Sequence, residues 1–186
     1  MKRLFDIFFS LFILVILFPI ILLIVFLIKI DSKGPALYFS KRVGINNTIF
    51  LMPKFRTMII NTPQKSTDKL NSPEIYITIV GKYLRKTSLD EIPQFFSVLI
   101  GKMSVVGPRP ALFNQKKLIS LRNNFGINSL KPGITGLAQI NGRDNLSIEE
   151  KVSYDKEYLE KLSLRFDLKI IIYTIFKVIF LNNISH

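Results

Sequence analysis

Cysteine and tryptophan are absent from the 186 residues, and the single histidine is the last residue, His186. Disulfides and thiolate metal sites are therefore excluded, and nothing points to an oxidising compartment. Zinc hydrolysis and Ser/His or Cys/His chemistry lack their usual parts. Acids are scarce too: 13 Asp plus Glu stand against 26 Lys plus Arg, a net charge of +13. Catalysis must then come from carboxylates, Lys, Arg, hydroxyls or a bound hard cation. A body this basic expects an anionic partner: nucleic acid, anionic lipid or a phosphorylated substrate. The length suits one domain with a sizeable core and is short for two.

What is abundant is apolar weight, concentrated at the N-terminus. Residues 7–28 form a 22-residue run of aliphatics and Phe, interrupted by Ser10 and Pro19 alone. As a helix it is about 33 Å long, near the hydrocarbon thickness. It is too long for a cleaved signal peptide and apolar on every face, unlike a core helix. Lys2 and Arg3 precede it, and Lys29, Lys33, Lys41 and Arg42 follow. Positive charge prefers the cytoplasm, so both ends favour one side. Pro19 near the middle removes a backbone hydrogen bond and predicts a kink. A re-entrant segment, entering and leaving by one leaflet, satisfies both facts and is preferred to a straight span. A second apolar stretch, 168–181, holds Lys169 and Lys177 and is too short to span. It reads equally as an interfacial helix and a core helix.

The pattern divides the chain into a membrane-embedded segment, 1–30, and a second domain, 31–186. Strands are predicted over 36–39 and 48–55 with a turn around Gly44 to Asn47. A polar loop is predicted over 61–73, and helices over 75–86, 92–99, 112–123 and 147–162. Ser147 and Glu150 have capping-box spacing. Segments 106–110 and 131–136, rich in Pro and Gly, read as breakers. The fold class is mainly α with a small β-hairpin (α+β), with a re-entrant N-terminal helix and interfacial amphipathic helices.

Residues 75–143 contain ten Lys or Arg, and their only acids are the adjacent Asp90 and Glu91. One reading is helix capping, with Ser88 as N-cap and Glu91 three residues on. The other is chemical: a carboxylate beside cations stays ionised, as a nucleophile or metal ligand must. Lys54 and Arg56 lie two apart on a predicted strand and share a face. Arg109 sits between Pro108 and Pro110, and Arg143 follows the turn dipeptide Asn141-Gly142. Singly, each basic residue reads as a solvated charge.

Four ordered motifs alter that reading: KFRTM at 54–58, LRKTSLDEIPQ at 84–94, MSVVGPRP at 103–110 and KPGITGLAQINGR at 131–143. The chain closely resembles the bacterial sugar transferase family, the monotopic phosphoglycosyl transferases, over nearly its whole length. The resemblance implies transfer of a sugar 1-phosphate from a UDP-sugar to polyprenyl (undecaprenyl) phosphate, releasing UMP. This would begin assembly of a capsule, O-antigen, exopolysaccharide or glycoprotein. It implies Asp90 as nucleophile through a covalent aspartyl intermediate, and Mg²⁺ held by Asp90 and Glu91. Glu91 would serve the metal or the lipid phosphate. Arg85 and Arg109 resemble phosphate clamps, with Lys54, Arg56 and Arg143 as further candidates. Membrane lipids are expected partners and nucleic acid is not. The location implied is the cytoplasmic face of the bacterial inner membrane.

Two positions depart from the family pattern. Lys102 stands where many members carry an acid. Phe18 precedes Pro19 where many have Ser, so the bend rests on Pro19. Only the minimal catalytic core is recognisable, without the multi-span region of some relatives. The rival reading is a non-enzymatic basic membrane protein binding anionic lipid or nucleic acid, whose binding would fall steeply with salt.

Overall fold

A proline inside an apolar helix leaves one carbonyl without its donor, and here it divides the N-terminal segment in two. Helix α1 (Lys2–Ile16) and helix α2 (Phe18–Asp31) meet at Leu17 with a bend of 61°. The break falls two residues before Pro19, which occupies the first turn of α2, where its missing N–H costs no helical bond. Among the described residues no single helix is long and apolar enough to cross a membrane; α1 and α2 reach that criterion only together. The computed structural model describes residues 1–60, 62 and 73–180.

Both ends of the bent pair are fastened to the rest of the chain. In the first turn of α1, Lys2 Nζ donates to Val106 O and Tyr158 Oη, each at 3.1 Å, and pairs with Asp167. Arg3 donates to the carbonyls of Val98 and Leu99. Buried Asp6 accepts from Ser104 Oγ at 2.9 Å and Val105 N at 3.0 Å. At the far end, Asp31 accepts from Val80 N at 3.0 Å. Between these attachments Phe8, Phe12, Val15, Phe18, Leu23 and Phe26 are exposed.

Strand β1 (Leu37–Val43) pairs antiparallel with β2 (Ile49–Phe55), in register Tyr38 to Lys54 and Arg42 to Phe50. The connecting turn places Asn46 and Asn47 at φ 51° and 62°, a region Asn tolerates better than most residues. Alternation sends Phe50, Met52 and Lys54 to one face, where Phe50 and Met52 enter the core. Lys54 is thus carried inward at the end of an apolar row.

The remaining helices are α3 (Ile79–Thr87), α4 (Gln94–Leu99), α5 (Lys116–Asn124), α6 (Leu137–Ile140), α7 (Ile148–Glu160) and α8 (Leu164–Phe180). Predicted helices 75–86 and 112–123 each begin four residues later than expected, the first after a 3-10 turn over Pro73–Ile75. The capping box is present: Ser147 Oγ accepts from Glu150 N, and Glu150 accepts from Ser147 N. In α8, Ile170 and Ile171 are buried while Ile172, Tyr173, Ile175 and Phe176 are exposed. The predicted loop 61–73 lies outside the described residues except for Thr62 and Pro73.

Of the two segments read as breakers, 131–136 instead holds a strand, while 106–110 begins at the end of its partner strand and carries none beyond Val106. Strands β3 (Ser104–Val106) and β4 (Gly133–Thr135) run parallel, Ser104 opposite Gly133. A Cβ at Gly133 would stand 2.1 Å from Gly107 N, so these backbones meet only where side chains are absent. Around β3, a core of Val98, Met103, Val105, Val106, Tyr158 and Ile170 joins the hairpin to α4, α7 and α8.

Candidate functional site

The site forms where α3 stops. Ser88 adopts a left-handed conformation, φ 56°, and its N–H bonds to Arg85 O. A 3-10 turn, Leu89–Glu91, then directs Asp90 and Glu91 inward, 4% and 8% exposed. The expected Ser88 N-cap is not formed: the Ser88 side chain caps nothing, and its carbonyl accepts from Glu91 N. The Glu91 side chain turns toward cations from distant segments.

Those cations come from three of the four motifs. Lys54 Nζ lies 2.7 Å from Glu91 Oε1 and 3.5 Å from Asp90 Oδ2, bridging the two acids. Arg143 reaches the same Glu91 oxygen at 3.4 Å and Arg109 at 3.7 Å. Arg85 acts on Asp90 electrostatically from the end of α3. Its Nε donates to Thr57 Oγ1 at 3.1 Å, and its Nη2 lies 3.8 Å from the Met58 sulfur. Thr57 and Met58 thus orient Arg85, a role that sequence reasoning missed although both lie in the first motif.

Arg56 is the exception. It stands one residue beyond β2, 5% exposed, and donates to Ser32 O at 2.7 Å, Ser32 Oγ at 2.9 Å and Lys33 O at 3.0 Å. It secures the exit of α2 and does not join the acids. Arg56→Met is therefore expected to lower stability by about 2–3 kcal/mol, the scale of buried hydrogen bonds made by a charged group, read in a thermal melt. Unchanged melting would refute this fastening role. Lys102 is exposed beside Met103.

The two carboxyls respond in opposite directions. For Glu91, burial favours the neutral acid, but Lys54, Arg109 and Arg143 outweigh it and hold the group well below the usual carboxylate range. For Asp90, burial prevails over Lys54, Arg85 and Arg143, and Glu91 adds repulsion, so its pKa is raised. The expectation that cations keep a carboxyl low is met at Glu91 and reversed at Asp90. Asp90 Oδ1 is buried and accepts no hydrogen bond among the described residues. A poorly solvated carboxylate oxygen without a donor, facing a cluster of cations, suits attack on an anionic electrophile whose charge those cations neutralise. Among the described residues no group of three or more acids or imidazoles could enclose a metal by itself.

The family profile described as bacterial sugar transferase matches residues 1–181. A UDP-glucose:undecaprenyl-phosphate glucose-1-phosphate transferase of Klebsiella pneumoniae is 44% identical across 95% of this chain and 39% of its own length. An undecaprenyl-phosphate galactose phosphotransferase of Salmonella typhimurium is 35% identical across 94% of this chain and 39% of its own. The exopolysaccharide production protein ExoY of Rhizobium meliloti is 38% identical over 94% of this chain and 83% of its own. The chain therefore spans about two fifths of the first two relatives and most of the third.

Proposed function

The chain belongs to the bacterial sugar transferase family, and we propose that it moves a hexose 1-phosphate from a UDP-sugar to undecaprenyl phosphate. The observation that carries this reading is the buried Asp90–Glu91 pair inside a cluster of Lys54, Arg85, Arg109 and Arg143, with Asp90 Oδ1 unpartnered among the described residues. In the first half-reaction the Asp90 carboxylate attacks the sugar-bearing phosphorus. A P–O bond forms to Asp90, the bond to the bridging oxygen breaks, and UMP leaves. In the second, an oxygen of the lipid phosphate attacks the same phosphorus. It releases the carboxylate and yields a polyprenyl diphosphate-sugar. Splitting the transfer lets one acid serve two substrates in turn.

Arg109, Arg143 and Lys54 converge on Glu91 Oε1 within 2.7–3.7 Å, so this pocket already accommodates an oxygen anion. Phosphate oxygens of the donor would share those cations, and Arg85 would guard the ionised state of Asp90. The donor set fits Mg²⁺, which takes oxygens from one or two carboxylates plus substrate phosphates. Asp90 and Glu91 would hold it. Bound there, it would neutralise diphosphate charge.

The bent α1–α2 pair, tied to one body at both ends with apolar residues exposed between, supports a re-entrant anchor. Positive flanks favour the cytoplasmic side. The site would then sit where a lipid phosphate resides.

UMP release from a panel of UDP-sugars, beginning with UDP-glucose and UDP-galactose, tests the reading in nanodiscs carrying undecaprenyl phosphate and Mg²⁺. One sugar is expected to give UMP, and chelation is expected to stop it. Release unaffected by chelation would remove Mg²⁺ from the reading. No UMP from any sugar, with lipid binding that collapses in salt, would favour the non-enzymatic alternative.

A further inference from the structure

Arg109 reaches the site from a segment short of donors of its own, because Pro108 and Pro110 on either side have no N–H; Gly107 N donates to Thr135 O at 2.9 Å. The segment is held chiefly by its carbonyls, five of which take a donor from elsewhere. Val106 O accepts from Tyr158 and Lys2. Pro108 O accepts from Gly133 N at 2.9 Å. Arg109 O accepts from Arg122 Nη1 at 2.9 Å, Pro110 O from Arg42 Nη1 at 3.1 Å, and Ala111 O from Val43 N at 3.0 Å.

The donor to Arg109 O is itself held by a buried charge, as Lys2 on Val106 O is by Asp167. Arg122, on α5, gives Nε and Nη2 to Asp155 Oδ2 on α7, at 2.9 and 2.7 Å, while Nη1 goes to Arg109 O. Asp155 is 1% exposed. A buried ion pair seldom stabilises a fold more than apolar side chains of the same size would. The α5–α7 contact already has Leu118, Ile127 and Val152 as an apolar core. What apolar residues could not supply is a rigid donor on the Arg109 backbone.

We propose that Arg122, fixed by Asp155, is a positioning residue that sets the Arg109 backbone so that its guanidinium meets the donor diphosphate. This rests on the transferase reading above. Arg122 touches no substrate; it acts through Arg109, whose Nη1 lies 3.7 Å from Glu91 Oε1. Displacement by about 1 Å of a group that binds the donor diphosphate costs up to about 10²-fold in kcat/KM.

A double-mutant cycle between Arg122 and Arg109 tests this, with UDP affinity by calorimetry and KM for the accepted UDP-sugar as readouts. Arg122→Lys retains the charge beside Asp155 but loses the planar fork, and is expected to melt close to wild type. It should weaken UDP binding and raise KM by roughly 10-fold, with a smaller change in kcat. In an Arg109→Ala background the same change should alter UDP affinity by less than about 2-fold, because the group it positions is gone. Asp155→Asn should behave as Arg122→Lys does. Equal losses in both backgrounds would overturn the proposal, as would an Arg122→Lys protein with unaltered UDP affinity and KM. Wild-type protein that neither binds UDP nor releases UMP would overturn the transferase reading and this proposal together.

Discussion

Asp90→Asn is expected to lower UMP release by at least ~10³-fold, the scale on which removal of a nucleophile is felt. It should also abolish the stoichiometric UMP burst expected without lipid acceptor. The amide has nearly the shape of the carboxylate but cannot form the mixed anhydride. The fold should not suffer. Asp90 Oδ1 accepts no hydrogen bond among the described residues, and the Lys54 contact is a long 3.5 Å. Because burial raises the Asp90 pKa, ionising Asp90 costs the folded state free energy at neutral pH. The Asn variant should therefore melt at or above the wild-type temperature. The raised pKa also fixes the acid limb of the pH–rate profile. Protonated Asp90 is no nucleophile, so activity should be lost as pH falls through a pKa higher than that of an ordinary aspartate. A full burst in the Asn variant would sink Asp90 as nucleophile.

Lys54→Met is the second large effect. The ammonium lies 2.7 Å from Glu91 Oε1 and 3.5 Å from Asp90 Oδ2, on a side chain only 17% exposed. Its loss leaves two buried carboxyls with less compensation, which is expected to cost about 3 kcal/mol at neutral pH. Turnover should fall by roughly 10²-fold, since Lys54 lowers the pKa of both acids. The direction with pH separates this effect from a packing defect. Without Lys54 both carboxyl pKa values rise, so the acid limb moves upward. The stability deficit is fully present above those values and shrinks as pH falls through them. Denaturation at about pH 7.5 and pH 5, near the range where carboxyls titrate, reads the difference. A deficit independent of pH would show that the methylene stem, and not the charge, matters.

Much of the site was legible because its residues lie in four local motifs. Asp90, Glu91, Lys54, Arg85, Arg109 and Arg143 come from those motifs and meet in space. Arg56 failed because the shared-face argument assumes that the strand continues, and β2 ends at Phe55. Ser88 failed because Ser followed by Glu three residues on describes a cap and a left-handed helix end equally well. The choice is made by Lys54, which arrives from 37 residues away to take the Glu91 side chain. Strands β3 and β4 have three residues each, below the length at which alternation is detectable, and Gly133 in β4 looks like part of a turn. The Arg122–Asp155 pair spans 33 residues and leaves no local trace.

The attachment of α1 orders events in time. Lys2 meets Asp167 across 165 residues of sequence, Arg3 meets Val98 across 95, and Asp6 meets Ser104 across 98. A ribosome delivers α1 long before any of those partners exist. During that interval the apolar segment can be shielded only by lipid or a chaperone. Closing loops of this length is slow, so α1, made well before its partners, completes its contacts late. The body then assembles onto an α1 that is already waiting for it.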